Sequence, residues 1–192
     1  MTWFGKNAPK VRPRPAFPND RLLKALDAVQ VTGGTFDMAV GFARERRKIG
    51  AKVYFVGNGG SAAIASHMAA DWMKAGKFAS LCFNDGALVT CLANDLGYGS
   101  GFSEPIKRFG QPEDLLFAIS SSGQSINILN AANAAKNIGM RVVTLSGFSP
   151  LNPLREMGDI NFYVNSTRYG PVEITHLSIL HAMLDQLIES ET

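Results

Sequence analysis

Five short apolar runs recur along the chain, four of them leading into a stretch with helical periodicity. They read KVYFVG from Lys52, FASLCF from Phe78, DLLFAIS from Asp114, MRVVTLSG from Met140 and INFYVN from Ile160. Runs this short and this continuously apolar suit strands buried on both faces. The segments between them supply the cover. Helices are predicted over SAAIASHMAADWMKAG, ALVTCLANDLG, SINILNAANAAKNIG and the long VEITHLSILHAMLDQLIES. The alternation predicts an α/β fold, a doubly wound five-stranded parallel sheet covered on both sides. An N-terminal helical pair precedes it. NDRLLKALDAVQVTG carries Leu22, Leu23, Leu26 and Val29 at helical spacing behind Asn19 as N-cap. TFDMAVGFARERRKIG turns Phe36, Val40 and Ala43 inward and stops at Gly50. Residues 1–18 hold four prolines and read as an irregular arm, with 19–192 as a single domain.

Composition narrows the class. Hydrophobic residues make up 46% and charged residues 18%, with a formal charge of only +3. The basic excess lies largely in the first 50 residues, and the cluster Arg44, Arg46, Arg47 and Lys48 reads as the solvated end of a helix, favoured by the helix dipole. Nucleic-acid binding would call for a longer basic stripe with interleaved aromatics. Cys82 and Cys91 sit in apolar segments and read as two buried thiols in a reducing compartment, without the spacing of a zinc site. The opening MTWFGKNAPK lacks the apolar core of a signal peptide, and no run approaches the ~18 residues of a membrane span. A soluble, cytoplasmic protein without membrane or nucleic-acid partners is expected.

Two loops carry chemistry suited to the carboxyl edge of such a sheet, where ligands bind. The first is Gly57-Asn58-Gly59-Gly60-Ser61. Its glycines allow close backbone approach, and the following helix offers free N–H groups and a positive dipole end. It departs from GxGxxG, and no lysine follows to make it a P-loop. Ser61 either caps the helix or meets a ligand. The second is Ser120-Ser121-Ser122-Gly123-Gln124-Ser125. A cap needs one hydroxyl, and four around a glycine at a helix start form a phosphate cradle without a fixed positive charge.

The three histidines all fall on predicted helices. His67 and Asp71 share a helix face at i and i+4, flanking the core stripe of Ala65, Met68, Ala69 and Trp72. They are either a surface pair or reactive groups set above the first loop. On the last helix Glu173 and His181 lie eight apart, about 80° around the axis, with His176 on the other flank. An acid and imidazoles in an apolar helix serve as metal ligands, as an acid/base pair or as satisfied core polar groups. All three roles stay open at this level.

GNGGSAAIASHMAAD, LANDLGYGSGFSEPI, ISSSGQSINILNAANAAKNIGMRVVTLSG and VEITHLSILHAMLDQLIE together resemble the sugar isomerase (SIS) domain, and within it the phosphoheptose isomerase subgroup, from about Asp20 to Glu189. The resemblance implies a flavodoxin-like sheet and a homotetramer with active sites between subunits. It implies conversion of sedoheptulose 7-phosphate to D-glycero-D-manno-heptose 7-phosphate, feeding heptose synthesis for surface lipopolysaccharide. It implies a divalent metal, often zinc. By motif position Ser120, Ser121, Ser122 and Ser125 match the phosphate loop. Asn58, Gly59, Gly60 and Ser61 match the sugar loop, and Asn94 and Asp95 the family's Asn-Asp pair. His67, Asp71, Glu173 and His181 match the metal and catalytic positions. Asp71 stands where the family usually has Glu, a carboxylate roughly 1–1.5 Å shorter in reach, which is expensive if it must touch the reacting atoms. Glu173 replaces a common Gln, and Gly170 an Asp. Enediol chemistry makes Asp71 or Glu173 the expected base and His181 its acid/base partner, with His67 on the metal or the sugar oxygens. The alternatives are a non-catalytic relative that binds the replication initiator as a tetramer, and an isomerase or sensor for another phosphosugar.

Overall fold

A computed structural model describes residues 20–189, so the proposed Asn19 cap and the arm over 1–18 lie outside the described residues. The five predicted strands form where the apolar runs place them: β2 (Lys52–Gly57), β3 (Ala79–Cys82), β4 (Leu115–Ser120), β5 (Arg141–Gly147) and β6 (Ile160–Val164). Their neighbours all pair in parallel. The sheet order is β1-β6-β5-β4-β2-β3. Counted from β2, the parallel strands run 2-1-3-4-5, the flavodoxin order, so the winding reverses between β2 and β4. Those two strands end in the two loops singled out above.

The five-stranded expectation needs one correction, because a sixth strand is present. The first helix, α1 (Asp20–Asp27), stops before Val29, and β1 (Val29–Thr32) pairs antiparallel with β6, Val29 opposite Val164. Val29 and Val31 pack partly buried against the core while Gln30 and Thr32 face solvent. That period-2 pattern, and the otherwise open edge of β6, outweigh the helical spacing of Val29. Gly33 then turns the chain at φ +77°, where a Cβ would strike the Asp159 carbonyl. The second helix, α2 (Phe36–Lys48), is capped by Thr35, whose hydroxyl accepts from the Met38 N–H.

Alternate strand residues face opposite layers. Val53, Phe55, Leu115, Phe117, Val143 and Leu145 meet α2, α3 (Gly60–Lys74) and α8 (Tyr169–Glu189). Tyr54, Val56, Leu116, Ala118 and Val142 meet α5 (Ser103–Phe109) and α6 (Ile126–Ile138). On the first side Phe55 stacks on Phe117 at 4.9 Å, and Trp72 stands edge-on to Phe55 at 5.4 Å. Trp72 is fully buried, and its truncation to Ala would cost about 3–5 kcal/mol. This packing locks α3 onto β2 and β4 and so fixes the start of α3.

Two composition-based expectations are overturned. Arg46 and Arg47 are half-buried: Arg46 donates to the Glu113 carbonyl at 3.1 Å, and Arg47 lies 5.7 Å from the Phe78 ring and donates to the Gly76 and Leu187 carbonyls. Their guanidinium groups tie helix ends together while the stems cover apolar surface. The thiols also differ from expectation. Cys82 is half-buried and Cys91 is exposed, both free. Cys91 is exposed because α4 (Gly86–Leu96), though rich in apolar residues, has no buried residue and leaves Leu96 54% exposed. No described helix is long and apolar enough to cross a membrane.

Candidate active site

The loops after β2 and β4 face one another across the reversal point and enclose a cleft of about 260 Å³. Asn58, Gly59, Gly60 and Ser61 line one wall, and Ile119, Ser120, Ser121, Ser122 and Ser125 the other. Tyr169 and Glu173, from the first turns of α8, complete it. Among the described residues, no lysine, arginine or histidine lines the cleft. An anion there must be held by N–H groups and hydroxyls.

The serine loop is built for that. Ser120 Oγ accepts from the Gly123 N–H at 3.1 Å and donates to Ser125 Oγ at 3.3 Å, and Ser122 Oγ accepts from the Gln124 N–H at 3.2 Å. Ser125 precedes α6 without using its side chain as a cap, leaving the first N–H groups of that helix available. Ser121 is only 5% exposed, and its buried hydroxyl has no hydrogen-bond partner among the described residues. An orphaned buried hydroxyl is costly, and a ligand oxygen in the cleft would satisfy it. From behind, Asn152 fixes the loop's shape. It is buried, donates to the Gly147 carbonyl at 3.2 Å, and fills the space a Cβ at Gly123 would need.

The first loop is organised differently. Gly59 precedes α3 at φ +55° without a side-chain cap, and Ser61 is buried in the first turn. The Glu173 carboxylate lies against Gly60, at the very place a Cβ would occupy. The α3 N-terminus has no acidic residue of its own in its first turn, so Glu173 brings negative charge to a positive dipole end from another helix. The cleft thus has one helix N-terminus occupied by a carboxylate and one open to a ligand.

Glu173 reaches Gly60 because α8 is pinned next to it. His176, one turn on, is fully buried and donates from Nε2 to the Ser146 carbonyl at 3.1 Å. Burial pushes its pKa down to about 4, against the opposing pull of that carbonyl bond. It is a neutral structural imidazole, which closes the acid/base option for this histidine. Gly147 meets the Val172 side chain and the Ser121 carbonyl where a Cβ would sit, so α8, β5 and the serine loop pack tightly.

Further along the same two helices, His67, Asp71 and His181 converge. The two Nε2 atoms are 3.3 Å apart, His67 Nε2 is 3.4 Å from Asp71 Oδ2, and one ligand atom from each lies within 4.8 Å of the others. Glu173 is not part of this group. An exposed His–Asp pair contributes little to stability, which leaves the convergence without a structural purpose. The spacing does fit a metal. Bonds of about 2.0–2.1 Å in a tetrahedron put ligand atoms about 3.4 Å apart. Two imidazoles and a carboxylate with an open fourth position are a catalytic zinc donor set. The shorter Asp71 side chain reaches its place because it lies one turn beyond His67 on the same face.

Asn94 and Asp95 are not brought to this cleft. Both are exposed on α4, with the Asn94 amide donating to Asp95 Oδ1 at 2.8 Å. From that segment it is Tyr98 that reaches Asn58 on the cleft wall, its hydroxyl donating to Asn58 Oδ1 at 2.9 Å. Sequence reasoning missed Tyr98, although it lies within the LANDLGYGSGF stretch. It also missed Asn127, a polar residue in the first turn of α6 beside the buried Ile128.

The SIS domain family model matches residues 24–147. The phosphoheptose isomerase of Mycobacterium bovis is 33% identical over 175 residues, covering 88% of this chain and 84% of that protein. That of Akkermansia muciniphila is 31% identical over 170 residues, covering 85% and 89%. Among solved structures, a phosphoheptose isomerase from Neisseria gonorrhoeae superposes with a TM-score of 0.73 at 30% identity, covering 79% of this chain and 84% of that one. One from Francisella tularensis gives 0.75 at 26% identity, covering 87% and 90%.

Proposed function

Since the chain belongs to the SIS domain family, we propose that it is an aldose–ketose isomerase converting sedoheptulose 7-phosphate to D-glycero-D-manno-heptose 7-phosphate, as its relatives' names suggest. The observation that carries this reading is the single cleft holding both the open serine loop and the Glu173 carboxylate. Phosphate sits at Ser120, Ser121, Ser122 and Ser125, and the sugar runs along Asn58, Gly59, Gly60 and Ser61. Glu173 is the base, because it lines the cleft while Asp71 is engaged beside His67. It takes a proton from C1 of the open-chain ketose. The electron pair forms the C1–C2 double bond, and the carbonyl oxygen takes a proton from solvent, because His181 Nε2 is committed to the His67–Asp71 group. Returning a proton to C2, with loss of the O1 proton, gives the aldose. Phosphate anchoring at the far end holds the chain in register for both transfers.

His67, Asp71 and His181 would hold a divalent ion of the zinc class. When bound, it supplies Lewis-acid polarisation of a sugar oxygen. The unburied apolar α4, with Asn94 and Asp95 turned away from their own cleft, supports the homotetramer reading. A second copy would cover α4 and receive the Asn-Asp pair. The protein then works in the cytoplasm, supplying heptose for surface polysaccharide, with 19–192 as its catalytic domain.

The test is direct. Purified protein, metal-replete, is mixed with sedoheptulose 7-phosphate and followed by ¹³C NMR. The heptose 7-phosphate product is expected at a turnover of about 1 s⁻¹ or more. Absence of both turnover and binding would overturn the reading. Elemental analysis should find one zinc-class ion per chain, lost in a His67→Ala/His181→Ala variant.

A further inference from the structure

Asn58, on the wall of the cleft, belongs to a small amide network that draws on two other segments. Its Nδ2 donates to Asn127 Oδ1 at 2.8 Å, and Asn127 Nδ2 donates back to Asn58 Oδ1 at 2.9 Å. Tyr98 Oη also donates to Asn58 Oδ1, at 2.9 Å. Asn127 is 2% exposed, in the first turn of α6 directly after the serine loop. Tyr98 lies in a 3₁₀ turn (Tyr98–Ser100) that is held to α6 by Asn130 Nδ2 donating to the Gly99 carbonyl at 2.9 Å.

A reciprocal amide pair can be satisfied in two orientations. In one, Asn58 turns its oxygen away and keeps an N–H for the cleft. If both amides flip, the pair survives and Asn58 offers a lone pair there. Only a third group can choose between them. A phenol donates strongly and accepts weakly, because its oxygen lone pair is shared with the ring. Tyr98 therefore favours the orientation in which Asn58 Oδ1 faces it. Both acceptor sites of Oδ1 are then filled, by Asn127 and Tyr98, and one Nδ2 proton is taken by Asn127. The other Nδ2 proton has no partner among the described residues, at a residue that lines the cleft.

We propose that Tyr98 and Asn127 are positioning residues that fix Asn58 as a hydrogen-bond donor, so that the sugar loop recognises a substrate oxygen carrying a free lone pair. Asn127 joins this donor to the phosphate helix, and Tyr98 sets its polarity. The kinetic consequence rests on the isomerase reading above; the orientation of Asn58 does not.

The experiment therefore has two arms. In the free enzyme with ¹⁵N-asparagine, the Asn58 side-chain NH₂ gives one sharp pair of resonances. In Tyr98→Phe the tie-break is gone, and the pair broadens or doubles. An unchanged pair overturns the proposal whether or not the enzyme is active. In the second arm, Tyr98→Phe halves the competent population and raises KM for sedoheptulose 7-phosphate at least about twofold, with a smaller change in kcat. In an Asn58→Ala background the same Tyr98→Phe change has no effect on KM. An equal rise in both backgrounds would mean that Tyr98 acts on the substrate independently of Asn58, and would overturn the proposal. If the parent enzyme shows no binding of this sugar phosphate, the isomerase reading fails, and the resonance arm still decides the orientation.

Discussion

The two loops at the winding reversal follow one design to opposite ends. Each ends a buried parallel strand and starts a helix whose N–H groups face the cleft. At the start of α3 the positive end already faces a protein carboxylate, that of Glu173. Helix α6 has no acid in its first turn, and among the described residues the buried Ser121 hydroxyl has no partner. Two anion-competent loops in one cleft would bind phosphate in either direction. Placing a fixed negative charge on one of them gives the ligand a single orientation, phosphate on α6 and reacting carbons on α3.

Changes on each side can break this contrast. The largest effect is expected for Glu173→Gln, which keeps the shape and removes both base and charge. A loss of 10²–10⁴ in kcat, on the order of general-base catalysis, is predicted with phosphate-end binding retained. Steady-state kinetics, paired with a binding assay for inorganic phosphate, would check it. Gly60→Ala comes next. Its Cβ needs the space of the Glu173 carboxylate. A displacement near 1 Å costs about 100-fold in kcat/KM, and an unaltered rate would mean that Glu173 is not held there during turnover. Ser121→Ala touches the other loop. Because this hydroxyl has no partner among the described residues, melting should be unchanged or slightly raised. KM should rise about 10-fold or more, as for a lost bond to a charged group.

At neutral pH the smallest effect concerns His176. Its folded pKa, about 4, lies below that of an unfolded histidine, so between those values the unfolded chain binds more protons. Stability is lost as pH falls from about 6.5 towards about 4, by roughly 3 kcal/mol in total. His176→Gln should match the parent's pH response above about pH 7 and lack this component below it. Urea melts across the range would show parallel curves if His176 were not buried and neutral.

Much of this was legible before any coordinates. β2, β4, β5 and β6, buried on both faces, read as continuous apolar runs, while the edge strand β3 has no buried residue, and Gly-rich and Ser-rich stretches after β2 and β4 announce close backbone approach and hydroxyl cradles. β1 was hidden because Val29 fits a helical spacing and a strand alternation equally well, and only the open edge of β6 decides between them. Arg46 and Arg47 looked solvated because a count of charges ignores the apolar stems beside Phe42 and Phe78. Asp71 still meets His67 at 3.4 Å with its shorter side chain, because residues i and i+4 share a helix face. The contact of Glu173 with Gly60 and the Asn58–Asn127–Tyr98 network are long-range pairings between loops that no local pattern encodes.

The most direct measurement of the central claim is a crystal structure with sedoheptulose 7-phosphate bound to Glu173→Gln protein, slowed enough to trap the ligand. The account predicts the phosphate among Ser120–Ser125, with the Ser121 hydroxyl bonded to it, and C1 and C2 facing residue 173 beside Gly60. Phosphate at Gly59–Ser61, or a ligand reversed along the cleft, would contradict it.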